Sequence, residues 1–90
     1  LVVKKENKKL KFSGKIKNMG NRRGTFSFYL SDSRNKNSFL LGNKRVLINE
    51  EIDLKEFNQE IKDDVIFKKI KNYNTLLIKE NESIIMKIKI

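Results

Sequence analysis

The side chains that most enzymes use for nucleophilic and acid–base chemistry are missing from this chain. It contains no histidine and no cysteine, which excludes histidine-based triads, thiol nucleophiles and thiolate metal sites. Carboxylates occur near residues 50–53 and at Asp63 and Asp64, beside turns and expected helix starts, where acids usually cap backbone N–H groups. Four scattered glycines form no phosphate-binding loop. We therefore expect no enzymatic activity, no cofactor and no metal.

Positive charge is the chemistry that remains, and it is unevenly distributed along the chain. The protein has 21 Lys and Arg against 11 Asp and Glu, for a net charge of +10. Thirteen of these basic residues and only two acids, Glu6 and Asp32, precede Val46, whereas the second half has eight basic residues and nine acids. A one-sided positive charge attracts polyanions. The alternative is a solvated surface that only keeps the protein soluble.

Length and composition limit the protein to one small domain. Ninety residues leave no room for a second core, and we expect the domain to belong to a larger protein or complex. Small secreted domains often carry disulfides, so the lack of cysteine favours an intracellular location. The longest apolar runs are three residues, and residues 1–5 lack the apolar core of a signal peptide, so no membrane association is predicted.

Alternating apolar and polar residues predict most of the secondary structure. Residues 10–19 and 25–30 alternate as half-buried strands, with Gly14 where a strand often bends, and we expect a hairpin across the turn at residues 18–24. Residues 38–48 fit one bent strand or two short ones. Further strands are predicted over residues 65–73 and 75–90, the last with Lys87 and Lys89 facing outward.

Residues 54–62 have helical features instead. Asp53 precedes Glu56 by three residues, which is capping-box spacing, and Leu54, Phe57 and Ile61 recur at helical intervals. This pattern predicts a short helix, with an extended strand as the competing interpretation. Residues 1–9 are expected to be a flexible basic lead-in, and residues 10–90 a single domain.

The order of three strands, a short helix and two strands resembles the OB-fold. Phe12–Asn18 and Gly24–Asp32 are similar to the opening strands of OB nucleic-acid-binding domains, and Asp64–Asn74 is similar to their fourth strand and its turn. The chain departs from that pattern at Asp63 and Asp64, where a glycine is common. The resemblance, which covers residues 10–88, implies a mainly β fold: a five-stranded OB-type barrel with its helix between strands three and four. It also implies single-stranded DNA or RNA as the ligand.

The same resemblance implies where the ligand would lie. OB domains hold oligonucleotides across strands two and three, flanked by the loops joining strands one to two and four to five. Basic residues there would follow the phosphates, led by Arg22 and Arg23 at a loop tip, and Tyr29 or Tyr73 would either stack a base or pack structurally. The expected nucleic-acid-binding residues are Lys11, Lys15, Lys17, Arg22, Arg23, Tyr29, Arg34, Lys36, Lys44, Arg45, Lys71 and Tyr73. Electrostatics should dominate, with weak sequence preference.

A second family fits many of the same residues. Ile16–Asn21 followed by Phe26–Leu30 also resembles immunoglobulin-like sandwich domains of bacterial and archaeal surface proteins, which often close with a turn like Lys79–Ser83. This interpretation requires residues 50–62 to be extended. It implies a non-enzymatic interaction or structural domain of a surface or filament protein, at the cell surface or secreted. The acidic region around the predicted helix is expected either to repel nucleic acid, and so to orient it on the opposite face, or to dock a basic partner subunit.

Overall fold

The computed structural model describes all 90 residues, and strands account for 53% of them against 12% in helices. The fold is therefore mainly β, as predicted. The strands are β1 (Val2–Glu6), β2 (Lys9–Ser13), β3 (Lys15–Lys17), β4 (Gly24–Ser31), β5 (Ser38–Val46), β6 (Glu51–Asp53), β7 (Gln59–Glu60), β8 (Thr75–Glu80) and β9 (Ser83–Lys89). A 3₁₀ turn spans Leu54–Phe57 and helix α1 spans Asp64–Ile70. Neither helical segment has the length and apolar character needed to span a membrane.

Every strand pairing is antiparallel, and the strands form three sheets in the orders β1-β2-β7, β3-β6 and β5-β4-β8-β9. The two smaller sheets are linked by the same two segments of chain. One segment continues from β2 through Gly14 into β3, and the other continues from β6 through the 3₁₀ turn into β7. The Leu54 N–H donates to the Gly14 carbonyl (3.0 Å) where they meet. We call these five strands the first layer and the four-stranded sheet the second layer. No closed barrel forms.

The hydrophobic core connects the two layers. Fifteen buried residues form one cluster that draws on both layers and on α1. Phe28 of β4 is fully buried, and its ring centroid lies 4.6 Å from that of Phe57 in the 3₁₀ turn. Helix α1 adds Phe67 and Ile70 to the same cluster. Burying each such side chain contributes roughly 1.5–3 kcal/mol, so this cluster holds the layers together.

Several predicted strands are confirmed. The strand predicted over residues 10–19 is present as β2 and β3, which end at Lys17, with the bend at Gly14, whose φ is +117°. Residues 25–30 lie within β4. Residues 38–48 contain one strand, β5, whose extra residue Leu41 forms a bulge opposite the step from Phe28 to Tyr29.

The predicted hairpin between the first two of these strands is wrong. β3 pairs with β6, whereas β4 pairs with β5 and β8. Residues 18–23 cross from the first layer to the second instead of turning back within a sheet. Asn18 holds this crossing, because its N–H donates to the Glu50 carbonyl (2.9 Å) and its carbonyl accepts from the Asn49 N–H (2.8 Å).

The predicted helix over residues 54–62 is also wrong. The Asp53 carboxylate does cap a helical turn by accepting from the Lys55 N–H (3.0 Å), but that 3₁₀ turn ends at Phe57. The chain is then extended: β7 pairs with β2, and the following Ile61 N–H donates to the Lys8 carbonyl. One 3₁₀ turn followed by an extended segment buries Leu54, Phe57 and Ile61, so their spacing does not require an α-helix.

The strand predicted over residues 65–73 is instead the helix α1. Asp63 caps it, since its carboxylate accepts from the Val65 N–H (2.8 Å) and the Ile66 N–H (3.3 Å). Phe67 and Ile70, three residues apart, form its buried side. The two adjacent acids therefore mark a helix start where the sequence favoured a strand.

Residues 1–9, expected to be a flexible lead-in, are part of the folded domain. Strand β1 pairs with β2 along its whole length, with Val3 opposite Phe12. The Lys5 ammonium donates to the backbone carbonyls of Lys71 (3.0 Å) and Tyr73, beyond the end of α1. These contacts join the N-terminal strand to the chain that enters β8.

Gly14 generates a stability prediction. Its φ of +117° lies in a region that L side chains rarely adopt, and an added Cβ would lie 3.1 Å from the Leu1 Cα. We expect Gly14→Ala to lower the free energy of unfolding by about 1–3 kcal/mol, measured by urea unfolding. The control Ser13→Ala, at an exposed neighbour, should cost less than about 0.5 kcal/mol. Equal small losses in both variants would contradict a bend that depends on glycine.

Candidate nucleic-acid interface

The outer face of the first layer mixes lysines with carboxylates. Antiparallel pairing places Lys15 opposite Asp53 and Lys17 opposite Glu51, and the Lys15 ammonium lies 3.6 Å from a Glu51 carboxylate oxygen. The acidic part of the second half thus lies against the basic first half. The charge asymmetry along the sequence is therefore largely neutralised on this face.

Lys44 forms partly exposed ion pairs between the two layers. It shares the inner face of the second layer with Phe26, and its ammonium lies 3.0 Å from Glu56 and 3.7 Å from Glu50. The hydrogen bond to Glu56 raises the pKa of Lys44, and the charges of Glu56 and Glu50 add to this against the opposing effect of desolvation. With its side chain only 23% exposed, Lys44 joins the layers and does not face a ligand from outside.

The outer face of the second layer has a different composition, and we call it the basic face. The strand register places Tyr29 of β4 between Leu40 of β5 and Leu77 of β8. The Lys79 ammonium lies 5.3 Å from the Tyr29 ring centroid, within cation–π range. Leu77 is buried but does not belong to the interlayer cluster. An apolar and aromatic strip therefore crosses the centre of this face.

Basic side chains surround that strip, and strand pairing places no carboxylate opposite any of them. Arg45 lies opposite Thr25, and Lys87 and Lys89 lie opposite Leu77 and Thr75. The four strands contain one carboxylate, Glu80, which follows Lys79 at the end of β8. It forms an ion pair with Arg22, at 2.8 Å. Unopposed positive charges on one surface add their potentials, so this face attracts anions more strongly than the first layer does.

The structure distributes the expected binding residues over four places. Tyr29 and Arg45 lie on the basic face. The connections at its two ends carry six more expected residues: Arg22 and Arg23 at one end, and Arg34, Lys36, Lys71 and Tyr73 at the other. Lys11, Lys15 and Lys17 lie on the first layer, and Lys44 lies between the layers.

The two tyrosines differ in their surroundings. Tyr73 packs against the interlayer core and lines a groove with Phe39 and Lys36, which is the structural role considered for it. The neighbouring Lys71 ammonium lies 5.3 Å from the Phe67 ring centroid. Tyr29 is half-buried on an outer sheet face, where its ring contacts Lys79.

The connection from Asn18 to Gly24 is anchored at both ends. The Asn18 amide donates to the carbonyls of Arg22 and Leu47, each at 3.1 Å. Arg22 is mostly exposed despite its ion pair, and exposed ion pairs are weak enough to exchange for a phosphate. Arg23 is exposed beside it.

Sequence reasoning missed the lysines that make the basic face distinct. Lys79, Lys87 and Lys89 belong to the half of the chain with a slightly negative net charge, so the count by halves passed over them. The alternation in residues 84–90 did place Lys87 and Lys89 outside the core. Their approach to Tyr29 depends on the pairing of β8 with β4, which no local pattern indicates.

Comparisons of the chain with protein-family models, curated proteins and solved structures find no match. No group of three or more carboxylates is placed to hold a metal ion.

The loop at the end of the basic face generates a prediction about pH. Partial burial raises the pKa of Asp32, but hydrogen bonds from the Asn37 amide (3.0 Å), the Lys36 N–H (2.9 Å) and further backbone groups outweigh it and leave that pKa below its usual value. A folded-state pKa below the unfolded one stabilises the fold above the unfolded value of about 3.9, and this contribution is lost as the pH falls through the folded value.

We therefore expect Asp32→Asn to be less stable than the wild type at pH 7. The two proteins should converge in stability as the pH falls below about 4, measured by urea unfolding across the pH range. Glu82→Gln, at an exposed turn, serves as the control and should show little difference at any pH. A deficit of the same size at pH 7 and pH 3 would contradict the ionised carboxylate as its cause.

Proposed function

We propose that this domain binds single-stranded nucleic acid across its basic face. The observation that carries the proposal is the arrangement of Arg45, Lys79, Lys87 and Lys89 around Tyr29 on a sheet face without carboxylates. Lysine and arginine neutralise phosphates and release counterions, which supplies most of the affinity in sequence-independent binding. An aromatic ring on the same surface adds base stacking, which is worth roughly 1–3 kcal/mol per base.

Single strands suit this face better than duplexes. The bases of a duplex are stacked on one another, so a ring on a sheet surface reaches only bases that are unpaired. Four strands about 4.8 Å apart make a surface roughly 14 Å across, which is enough for a short single-stranded segment. Because the charged groups on the face are all cationic and suit phosphates, we expect little base preference.

The proposal rests on the chemistry of the face and not on an OB-type barrel. The neighbouring strands β4 and β5 are the segments that the OB resemblance equated with strands two and three. The strands are arranged in layers without a closed barrel, and β9 and β3 are each paired on one side only. The same face would be available to a ligand in either architecture.

A fluorescence anisotropy titration with a labelled single-stranded oligonucleotide at several salt concentrations tests this function. With about four phosphate contacts, log K should fall with log salt at a slope near −3, at roughly 0.7 per contact. Lys79→Gln/Lys87→Gln should make that slope shallower by about 1.4. Tyr29→Leu, which keeps the apolar packing, should weaken binding by about 1–3 kcal/mol.

The matched control is Lys15→Gln/Lys17→Gln, which removes the same charge from the first layer. It should leave the slope close to that of the wild type. No binding at low salt, or equal losses in the two double variants, would contradict binding on the basic face.

A second candidate function, a protein-interaction module, is favoured by the open edge of β9. Ile84, Ile85 and Met86 are each more than 40% exposed there, although natural edge strands are usually protected. Ile85 and Met86 also line an apolar cleft with Ile16 of β3. An extended peptide that adds a strand to this edge would use main-chain hydrogen bonds for affinity.

A labelled peptide of alternating glutamate and valine is a suitable probe for that function. Its glutamates complement the positive charge of the protein, and its valines favour the extended conformation that strand addition requires. If β9 accepts a strand, the peptide should bind the wild type and lose affinity for Ile85→Lys. Val65→Lys, at an exposed apolar residue of α1, should bind the peptide normally. Binding unchanged by Ile85→Lys, or no peptide binding at all, would count against strand addition at this edge.

A further inference from the structure

A polar pocket of about 380 Å³ opens at one end of the basic face. It is lined by Ser33 and Asn35 of the β4–β5 loop, Asn74 and Thr75 at the start of β8, and Lys87 and Lys89 of β9. None of these side chains is apolar or acidic. The pocket is therefore chemically unlike the apolar cleft beside β9.

Hydrogen bonds within the chain leave this pocket with donors and few acceptors. The Asn35 side-chain oxygen accepts from the Ser31 hydroxyl (3.0 Å), and the Asn74 side-chain oxygen accepts from the Thr75 hydroxyl (3.5 Å). With their oxygens engaged, both asparagines have their NH₂ groups left to donate. Together with the Ser33 hydroxyl and two lysine ammoniums, these groups suit a ligand that is rich in acceptor oxygens.

The carboxylate nearest in sequence does not offset the positive charge of the lining. Asp32 precedes Ser33, but its two carboxylate oxygens accept from the Lys36 N–H and the Asn37 amide, and it does not line the pocket. The loop is held at Asn35, whose φ is +57° and whose N–H donates to the Asp32 carbonyl (3.1 Å). The donors from this loop are thus positioned before any ligand arrives.

Two ammoniums and several neutral donors match a phosphate monoester better than an internal phosphodiester. A monoester carries about −1.5 to −2 charges at pH 7 and presents three strong acceptor oxygens. The pocket also lies close to the proposed stacking position, because Lys87 is opposite Leu77 and Leu77 is opposite Tyr29. Two strand spacings amount to roughly 10 Å, so a short strand can place a base on Tyr29 and its end in the pocket.

We infer that this pocket binds the terminal phosphate of a nucleic-acid strand that lies across the basic face, an inference that rests on the proposed function. It makes the domain selective for strand ends that carry a phosphate. The phosphate can belong to a 5′ or a 3′ end, and the chemistry that recognises it is the same.

Three oligonucleotides of one sequence, each with an internal fluorophore, test the inference. One carries a 5′-phosphate, one a 3′-phosphate, and one has hydroxyl groups at both ends. We expect one phosphorylated form to bind wild-type protein about 10-fold or more tightly than the hydroxyl form, as one charge-assisted hydrogen bond of about 1.5 kcal/mol would produce. Lys87→Gln/Lys89→Gln should abolish this preference.

Arg45→Gln/Lys79→Gln is the matched control, because it removes the same charge from the basic face outside the pocket. It should weaken all three oligonucleotides alike and preserve the preference for the phosphate. Equal wild-type affinity for the three forms would overturn the inference and leave the proposed function standing. A preference that survives in Lys87→Gln/Lys89→Gln would overturn it as well. Binding of none of the three would overturn both the inference and the proposed function.

Discussion

The packing of Phe28 against Phe57 between the two layers is the interaction on which the rest of this structure depends. It joins β4, at the centre of the second layer, to the 3₁₀ turn that links β6 and β7 in the first. Side chains of a strand alternate between faces, so burial of Phe28 assigns Ser27 and Tyr29 to the outer face. A register slip of one residue would bury Tyr29 and expose Phe28. The core contact therefore also determines what the outer surface presents to a ligand.

Antiparallel pairing then redistributes the charges of the chain. In the first layer it sets lysines of β3 against acids of β6. Packing of the two layers then brings Lys44 to Glu50 and Glu56. The second layer receives lysines from β8 and β9 without acids to oppose them. The net charge of +10 is thus unevenly distributed over the surface. The positive electrostatic potential is strong on the basic face and partly cancelled on the outer face of the first layer.

The basic face and the pocket at its end form one continuous surface with two kinds of chemistry. Around Tyr29 the surface is aromatic and cationic, which suits bases and the phosphates between them. At the end nearest the β4–β5 loop it consists of donors held by that loop, by Asn74 and by the last residues of β9. Because Tyr29, Lys87 and Lys89 belong to one sheet, the strand register determines the spacing between the two parts.

The sequence by itself determined the local features of this protein. Alternation located β4 and much of β9, Gly14 was expected to mark a bend in its strand, and Asp53 was recognised as a capping acid. Local spacing did not distinguish a 3₁₀ turn from an α-helix at Leu54–Phe57, since residues three apart share a face in both. Only the tertiary structure decided which strands pair, and hence that Lys79 and Lys87 approach Tyr29. Strands that are far apart in the chain pair because doing so buries the apolar side chains of both layers together. The free energy of that burial depends on several segments at once, so no single segment of the sequence predicts the pairing.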